Sequence, residues 1–332
     1  MKNFSSVAML AGCVVGVWGV SAHDVMARAM QPAAAAQPET KPEVTSVASG
    51  KIDLRPRFTK GQEIRFRMKM ESTGTQAGGS GDAGEGPGEQ SMSTNQEIGL
   101  LMRVKDVNPE TGAMLDLVYE SLKFNMDSPM MGRVEFDSSK PATGGDAAMA
   151  EMMLRPMVGL TLSVKTDKDG NITEVKTPDG VGGVGGEMLR QFTGADVVKN
   201  MFGPIVSLRR GTGQAAVGEM WTNQDAIESP MGTMKVTTNN TLSSHSGGRA
   251  TIDINGGVSL TQGTGGASAI PGLVPKATIK ESSIKGQAIW DTAKGMLRSV
   301  KSEQKITIEA DIGGQKTVSK QVMKMDVARV GE

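Results

Sequence analysis

Two histidines, one cysteine, a few Asp/Gly-rich turns and several closely spaced methionines are the residues of this sequence with a claim to chemistry. His23 and His245 have no partner arrangement that would make a catalytic dyad or a zinc site, and both read as exposed loop histidines, His245 within 243–248. Asp167-Lys168-Asp169-Gly170-Asn171 has the carboxylates of a calcium loop. Its Gly falls at the fourth place rather than the sixth, however, and Glu174 follows too soon, so a hairpin turn is the reading. Gly78-Gly79-Ser80-Gly81-Asp82 misses the calcium-binding nonapeptide by one place and does not recur. Gly180, Gly182 and Gly185 have the spacing of a dinucleotide-binding turn without the alternating β-α pattern such a turn requires. Met68/Met70, Met149/Met152, Met231/Met234 and Met323/Met325 have the thioether spacing of a Cu(I) site. No Cys or suitably placed His joins them, and alternation puts them on core faces. No nucleophile sits with a base, so a hydrolase is the weakest of the readings. The residues predict no catalytic centre, cofactor or metal.

Composition narrows the classes further. Lys+Arg and Asp+Glu balance at 36 each, so no net field recruits nucleic acid or an anionic membrane. Aromatics are 3% of the chain, too few for base- or sugar-stacking platforms, while Met is abundant at 24 copies. Gly accounts for 43 of the 332 residues, above the ~7% of an average chain, which implies many turns and loops.

Residues 1–22 have the parts of a secretory signal peptide: Lys2, an apolar run at 7–20, and small residues Val20-Ser21-Ala22 before a cut at His23. The run is shorter than a spanning helix needs, and no later segment approaches that length, so the mature protein is expected to lack a transmembrane span. Leu10-Ala11-Gly12-Cys13 resembles a lipoprotein box. The chain stays apolar after Cys13, which favours cleavage at Ala22, with lipidation of Cys13 and membrane anchoring as the alternative. Either way the protein is expected in the periplasm or outside the cell. Simple cleavage leaves no cysteine, so stability must come from the core alone.

The elements that would position any site are strands. Residues 23–50 read as a disordered Ala/Pro-rich tether, followed by a single β-rich domain at 51–332. In 62–71 the apolar residues Ile64, Phe66, Met68 and Met70 alternate with Arg65, Arg67, Lys69 and Glu71, the signature of a strand with one wet face. Residues 75–90 read as a flexible Gly-rich loop. Hairpins are expected about 108–112, about Asp169-Gly170, and at 291–295, with two clear strands at 301–312 and 323–327. Residues 146–155 predict a helix with Met149, Met152 and Met153 on one stripe, and 187–202 predict a broken helix restarting near Thr193 and ending at Gly203-Pro204. A sheet with one apolar face must cover it. The expected fold is therefore mostly β: a large antiparallel curved sheet or half-barrel of long meandering strands, with one or two short covering helices.

Three motifs carry a resemblance. They are Phe58-Thr59-Lys60-Gly61-Gln62; Val217-Gly218-Glu219-Met220-Trp221 with Pro230 and Gly232; and Gly286-Gln287-Ala288-Ile289-Trp290-Asp291 with Gly295 and Leu297. Over roughly 57–326 the chain resembles an uncharacterised family of secreted bacterial β-rich proteins, a domain of unknown function. The resemblance implies an exported β domain, similar to the half-barrels that carry lipid or lipoprotein in bacterial envelopes, and brings no catalytic residues. Trp221 is expected to plug the core.

The functional expectation is a non-enzymatic envelope binding or carrier domain whose partner is an apolar ligand. Its ligand face would be formed by Ile64, Phe66, Met68, Met70, Met149, Met152 and Met153. The alternative is a structural or interaction module that meets other envelope proteins and has a fully packed core.

Overall fold

Alternation along the chain becomes a series of long strands in the computed structural model. It describes residues 50–77, 90–129, 132–141, 147–177, 194–208, 213–229, 232–261, 276–312 and 315–331. The signal peptide, Cys13, His23, nearly all of the tether, the centre of the 75–90 loop and Gly180, Gly182 and Gly185 lie outside the described residues.

In chain order the strands begin with β1 (Ile52–Asp53), β2 (Glu63–Ala77), β3 (Gln90–Asn108), β4 (Gly112–Ser128) and β5 (Gly132–Asp137). Helix α1 (Ala147–Leu154) and a 3-10 turn at Arg155–Met157 follow, then β6 (Thr161–Thr166), β7 (Ile172–Lys176) and helix α2 (Ala195–Val206). The remainder is β8 (Gln214–Ala215), β9 (Met220–Ser229), β10 (Gly232–Ser246), β11 (Arg249–Thr261), β12 (Lys276–Asp291), β13 (Met296–Ile312) and β14 (Gln315–Val330). The three hairpins expected from their turn residues form as β3–β4, β6–β7 and β12–β13.

Among the described residues twelve strands make one antiparallel sheet in the order β7-β6-β4-β3-β2-β14-β13-β12-β11-β10-β9, with β5 pairing the far half of β4, and β1 pairs β8 in a separate two-stranded sheet. Two meanders, β2 to β7 and β9 to β14, are joined side by side where β14 pairs β2. The sheet does not close, because β7 and β9 remain its two edges.

Its curvature follows from distances at one end. The turn before β7 and the turn before β13 are at least five strand spacings apart along the sheet, roughly 24 Å if it were flat. Both nevertheless touch adjacent residues of one crossing segment. The Arg57 N–H donates to Gly295 O at 3.0 Å, and Pro56 lies 2.7 Å from where a Cβ on Gly170 would be. Gly170 and Gly295 have φ of 86° and 58°, and a side chain at either would strike this segment, so only Gly lets the turns close on it. The expected curved sheet, a half-barrel plugged at one end, is what forms.

The plug is the core. Phe66, Tyr119, Trp290 and Phe202 are buried to within about 1% of full coverage, and Tyr119 meets Phe202 edge-on with centroids 6.2 Å apart. Burying each such side chain contributes roughly 2–3 kcal/mol. Trp221 is buried, and its Nε1–H donates to Leu208 O at 3.1 Å, the core role expected of it. Helix α2 packs on β7 and β13 and runs through Gly203-Pro204 to Val206 rather than stopping there. The buried Ile205 and Val206 hold that last turn against the core.

Candidate functional site

The strand ladders assign every side chain to one of two faces. Pairs such as Phe66↔Leu100, Met68↔Ile98 and Met68↔Val327 define the concave face, which is buried at the plugged end. The convex face carries the charges, arranged in pairs such as Lys69–Glu97 (3.4 Å), Lys301–Asp326 (3.3 Å) and Lys305–Glu303 (2.9 Å). Exposed pairs of this kind add little stability, but they keep that face wet.

Beyond the Met68 level the concave face changes character. On β2 to β5 and β10 to β14 its described residues include no Asp, Glu, Lys or Arg; Asp225 on the edge strand β9 shares the face, and Arg155 after α1 lies over the ring of Phe136 on β5. A middle tier is polar but neutral. Ser72 pairs Thr94 and Met323, Met323 pairs Gln304, Gln96 pairs Met70, and Gln321 pairs Gly74. Gln321 Nε2–H donates to Ser72 Oγ at 3.2 Å. A distal tier is apolar again: Met234, Val258, Ile284 and Ile306 are buried, with Val236, Leu260, Ile279 and Ile308 half-buried around them. Helix α2 packs on β7 and β13 at the plugged end, α1 packs on β5 beyond it, and no other α-helix is described. A cleft of about 550 Å³ lies beside α1; Met70, Gln96, Phe124 and Phe136 line it together with eight charged residues, among them Lys69, Glu97, Lys123, Asp137 and Glu151. That volume lies within the range of small-ligand sites.

The residues expected to form an apolar ligand face divide. Ile64, Phe66 and Met68 are 5%, 1% and 2% exposed and belong to the core cluster that fills the plug. Met70 is half-buried on the cleft wall. Met152, one of the three methionines of the expected stripe, is 75% exposed and does not cover the sheet. Helix α1 instead seats on Ala150 and Leu154, and Arg155 fixes its end. Arg155 reaches Glu151 Oε1 (2.5 Å), donates to Ser138 O (2.7 Å) and Lys140 O (2.8 Å), and lies over the Phe136 ring. The side chains of Met149 and Met153 lie outside the described residues.

The other candidates resolve as turns. Asp167 accepts from the Asp169 and Asn171 amides at 2.9 Å each and from Asn171 Nδ2 at 2.8 Å, an Asx turn that occupies its carboxylate. His245 lies at the end of β10, not in a loop. Its Nε2 is 3.3 Å from Thr292 Oγ1, which in turn donates to Gly248 O, so the ring ties two hairpin tips together. Among the described residues no cluster of three or more His, Cys, Asp or Glu is placed to hold a metal ion.

The electrostatics are structural. A hydrogen bond from Arg55 holds Asp53 below the usual carboxylate range, and burial pushes the Tyr119 phenol up. At Asp291 burial acts to raise the carboxyl. The Lys294 amide and the Arg329 guanidinium (2.9 Å) outweigh it and leave the net shift downward. These lowered carboxylates move away from the range of a general acid at neutral pH.

The neutral middle tier is the feature least visible beforehand. Its signal was Ser302 and Gln304 standing in register with Ile306 and Ile308 in an otherwise apolar alternation.

No curated protein matches the chain in sequence. Of the solved structures it is similar to, one is titled "Lipid-protein interactions in lipovitellin", at 10% identity and TM-score 0.43 over 83% of this chain and 26% of that one. The chain thus spans about a quarter of the lipovitellin chain. DynF of the dynemicin biosynthesis pathway of Micromonospora chersina is 9% identical over 88% and 90% of the two chains, with a TM-score of 0.22. An outer membrane channel from Pseudomonas putida F1 is 9% identical over 86% and 100%, also at 0.22. Likenesses at these TM-scores carry no functional argument. Residues 110–182, from the β3–β4 turn to just past β7 and between the first two of the three sequence motifs, match the model of a family of unknown function, DUF6263.

Proposed function

We propose that this chain is an exported, non-enzymatic binding protein that holds an apolar ligand on the distal concave face of its half-barrel. The observation that carries this reading is the segregation of charge. The convex face is densely charged, while on nine strands the concave face beyond the plug bears no Asp, Glu, Lys or Arg of its own, and the one described helix against it, α1, packs only on β5. An unpaired charge is costly on a surface that meets hydrocarbon, and its systematic absence matches that use. No described helix is long and apolar enough to cross a membrane. The signal-like residues 1–22 support a periplasmic or extracellular site, with an anchor at Cys13 as the variant.

One observation favours the alternative of a structural or protein-interaction module: the plugged end is filled by Phe66, Tyr119, Phe202 and Trp290, so any ligand must bind the open face and not a sealed chamber. Native mass spectrometry of the protein purified from its own cell envelope separates the two. A co-purified small mass, released by organic solvent, is expected for the carrier. A bare chain that also fails to bind Nile red would leave the structural module.

A further inference from the structure

We infer that the neutral tier across the concave face recognises the carbonyl-bearing linkage of an ester- or amide-linked lipid, with the acyl chains lying on the apolar tier beyond it. This inference rests on the ligand-binding reading and names the ligand's class.

The geometry supplies two unlike surfaces in register. Gln304, Met323, Ser72 and Thr94 are direct cross-strand partners on successive strands β13, β14, β2 and β3, so they lie at one height across the trough. Gln96 and Gln321 flank that line, and Gln321 already donates to Ser72. The Thr94 hydroxyl is buried with no hydrogen-bond partner, and its residue is only 7% exposed. From Gln304 to Ala310 the same face runs on for roughly 20 Å, at ~3.4 Å per residue, past Ile306 and Ile308. That is the length of a long acyl chain.

Chemistry then restricts the occupant. A pure hydrocarbon spread over the whole face would strip water from amides and hydroxyls and leave them unpaired, which costs more than the contact returns. The tier's own side chains offer a charged group no opposite charge. Ester and amide carbonyls accept hydrogen bonds without charge, and amide N–H groups donate, so a neutral linkage satisfies the tier while its chains cover the patch. Thr94 is the donor that gains most, because its hydroxyl has no partner to give up.

The test uses the full chain and displacement of Nile red, a neutral apolar dye, by two probes of equal chain length. One is dioctanoylglycerol, and the other is its dioctyl ether, which lacks both carbonyls. The ester is expected to displace the dye at roughly tenfold lower concentration, the effect of one or two net hydrogen bonds. Thr94→Val and Gln304→Met keep volume and should fold. Each is expected to weaken the ester about fivefold and leave the ether unchanged. Dye binding with equal displacement by ester and ether, or variants that weaken both probes alike, would overturn the linkage inference and leave the apolar face standing. Absence of dye binding would remove both.

Discussion

Asp291→Asn is expected to destabilise the fold by about 3 kcal/mol, the lower end of what breaking a buried ion pair costs. The Arg329 and Asp291 side chains are 4% and 14% exposed, and their contact is 2.9 Å. The pair joins β14 to the end of β12 beside the turn that closes on Arg57, so it lies inside the plug. Asn at 291 keeps an oxygen for the Lys294 amide, now at 3.0 Å from Asp291 Oδ1, and removes only the charge facing Arg329. For a chain of this size each kcal/mol lowers Tm by about 2–4 °C, so a fall of roughly 6–12 °C is expected by calorimetry. The pH dependence has a definite sign. The folded Asp291 carboxyl is lowered, so its contribution is present above the unfolded pKa and is lost as pH falls through the folded one. The difference between wild type and variant should therefore be full at pH 7 and shrink at strongly acid pH. Added salt should change it little, because the pair is shielded from solvent. Asp291→Asn combined with Arg329→Met should recover most of the loss. A single-variant cost below about 1 kcal/mol at pH 7 would refute the view that this pair is an internal tie of the plug.

Met152→Asp should change Tm by no more than a degree or two, since that side chain is 75% exposed, whereas Leu154→Asp on the seated face should unfold α1 or the whole domain; circular dichroism melts separate them. Trp221→Phe keeps most of the ring but loses the bond to Leu208 O, and urea titration should show a loss of about 1–2 kcal/mol. Gly295→Ala, at φ 58° with Arg57 in the way of a side chain, should cost several kcal/mol and pull the crossing segment from the β12–β13 turn, read as faster hydrogen exchange at Arg57.

The strands were legible because the concave/convex split is written at period two. Ile64, Phe66 and Met68 against Arg65, Arg67 and Lys69 fix both the element and its buried side. The hairpin turns at Gly112, Gly170 and Gly295 were legible from their Asp/Asn/Gly chemistry. Met152 of α1 was misplaced because helical spacing tells which residues share a face, not whether that face meets a partner. Ala150 and Leu154 carry the contact, leaving Met152 in water. The proposed ligand face was only half legible for a related reason. Period two places Ile64 and Met323 on the same concave face, but only the crossing segment, α2 and the turns show where along the strands the plug ends. That boundary arises from contacts between residues far apart in the chain, such as Arg57 with Gly295 and Gly170 with Pro56.

The central claim, that the distal concave face is the binding surface, is tested most directly by placing the same charge on either side of one strand. Met323 faces the neutral tier and Lys324, its neighbour, faces the charged convex surface. Nile red titration of Met323→Glu and Lys324→Glu, both checked for an intact melt, is the measurement. Met323→Glu is expected to weaken dye affinity at least about tenfold, because bound dye would desolvate the carboxylate, and Lys324→Glu to leave it unchanged. Equal affinity in the two variants, or a loss confined to Lys324→Glu, would contradict the account.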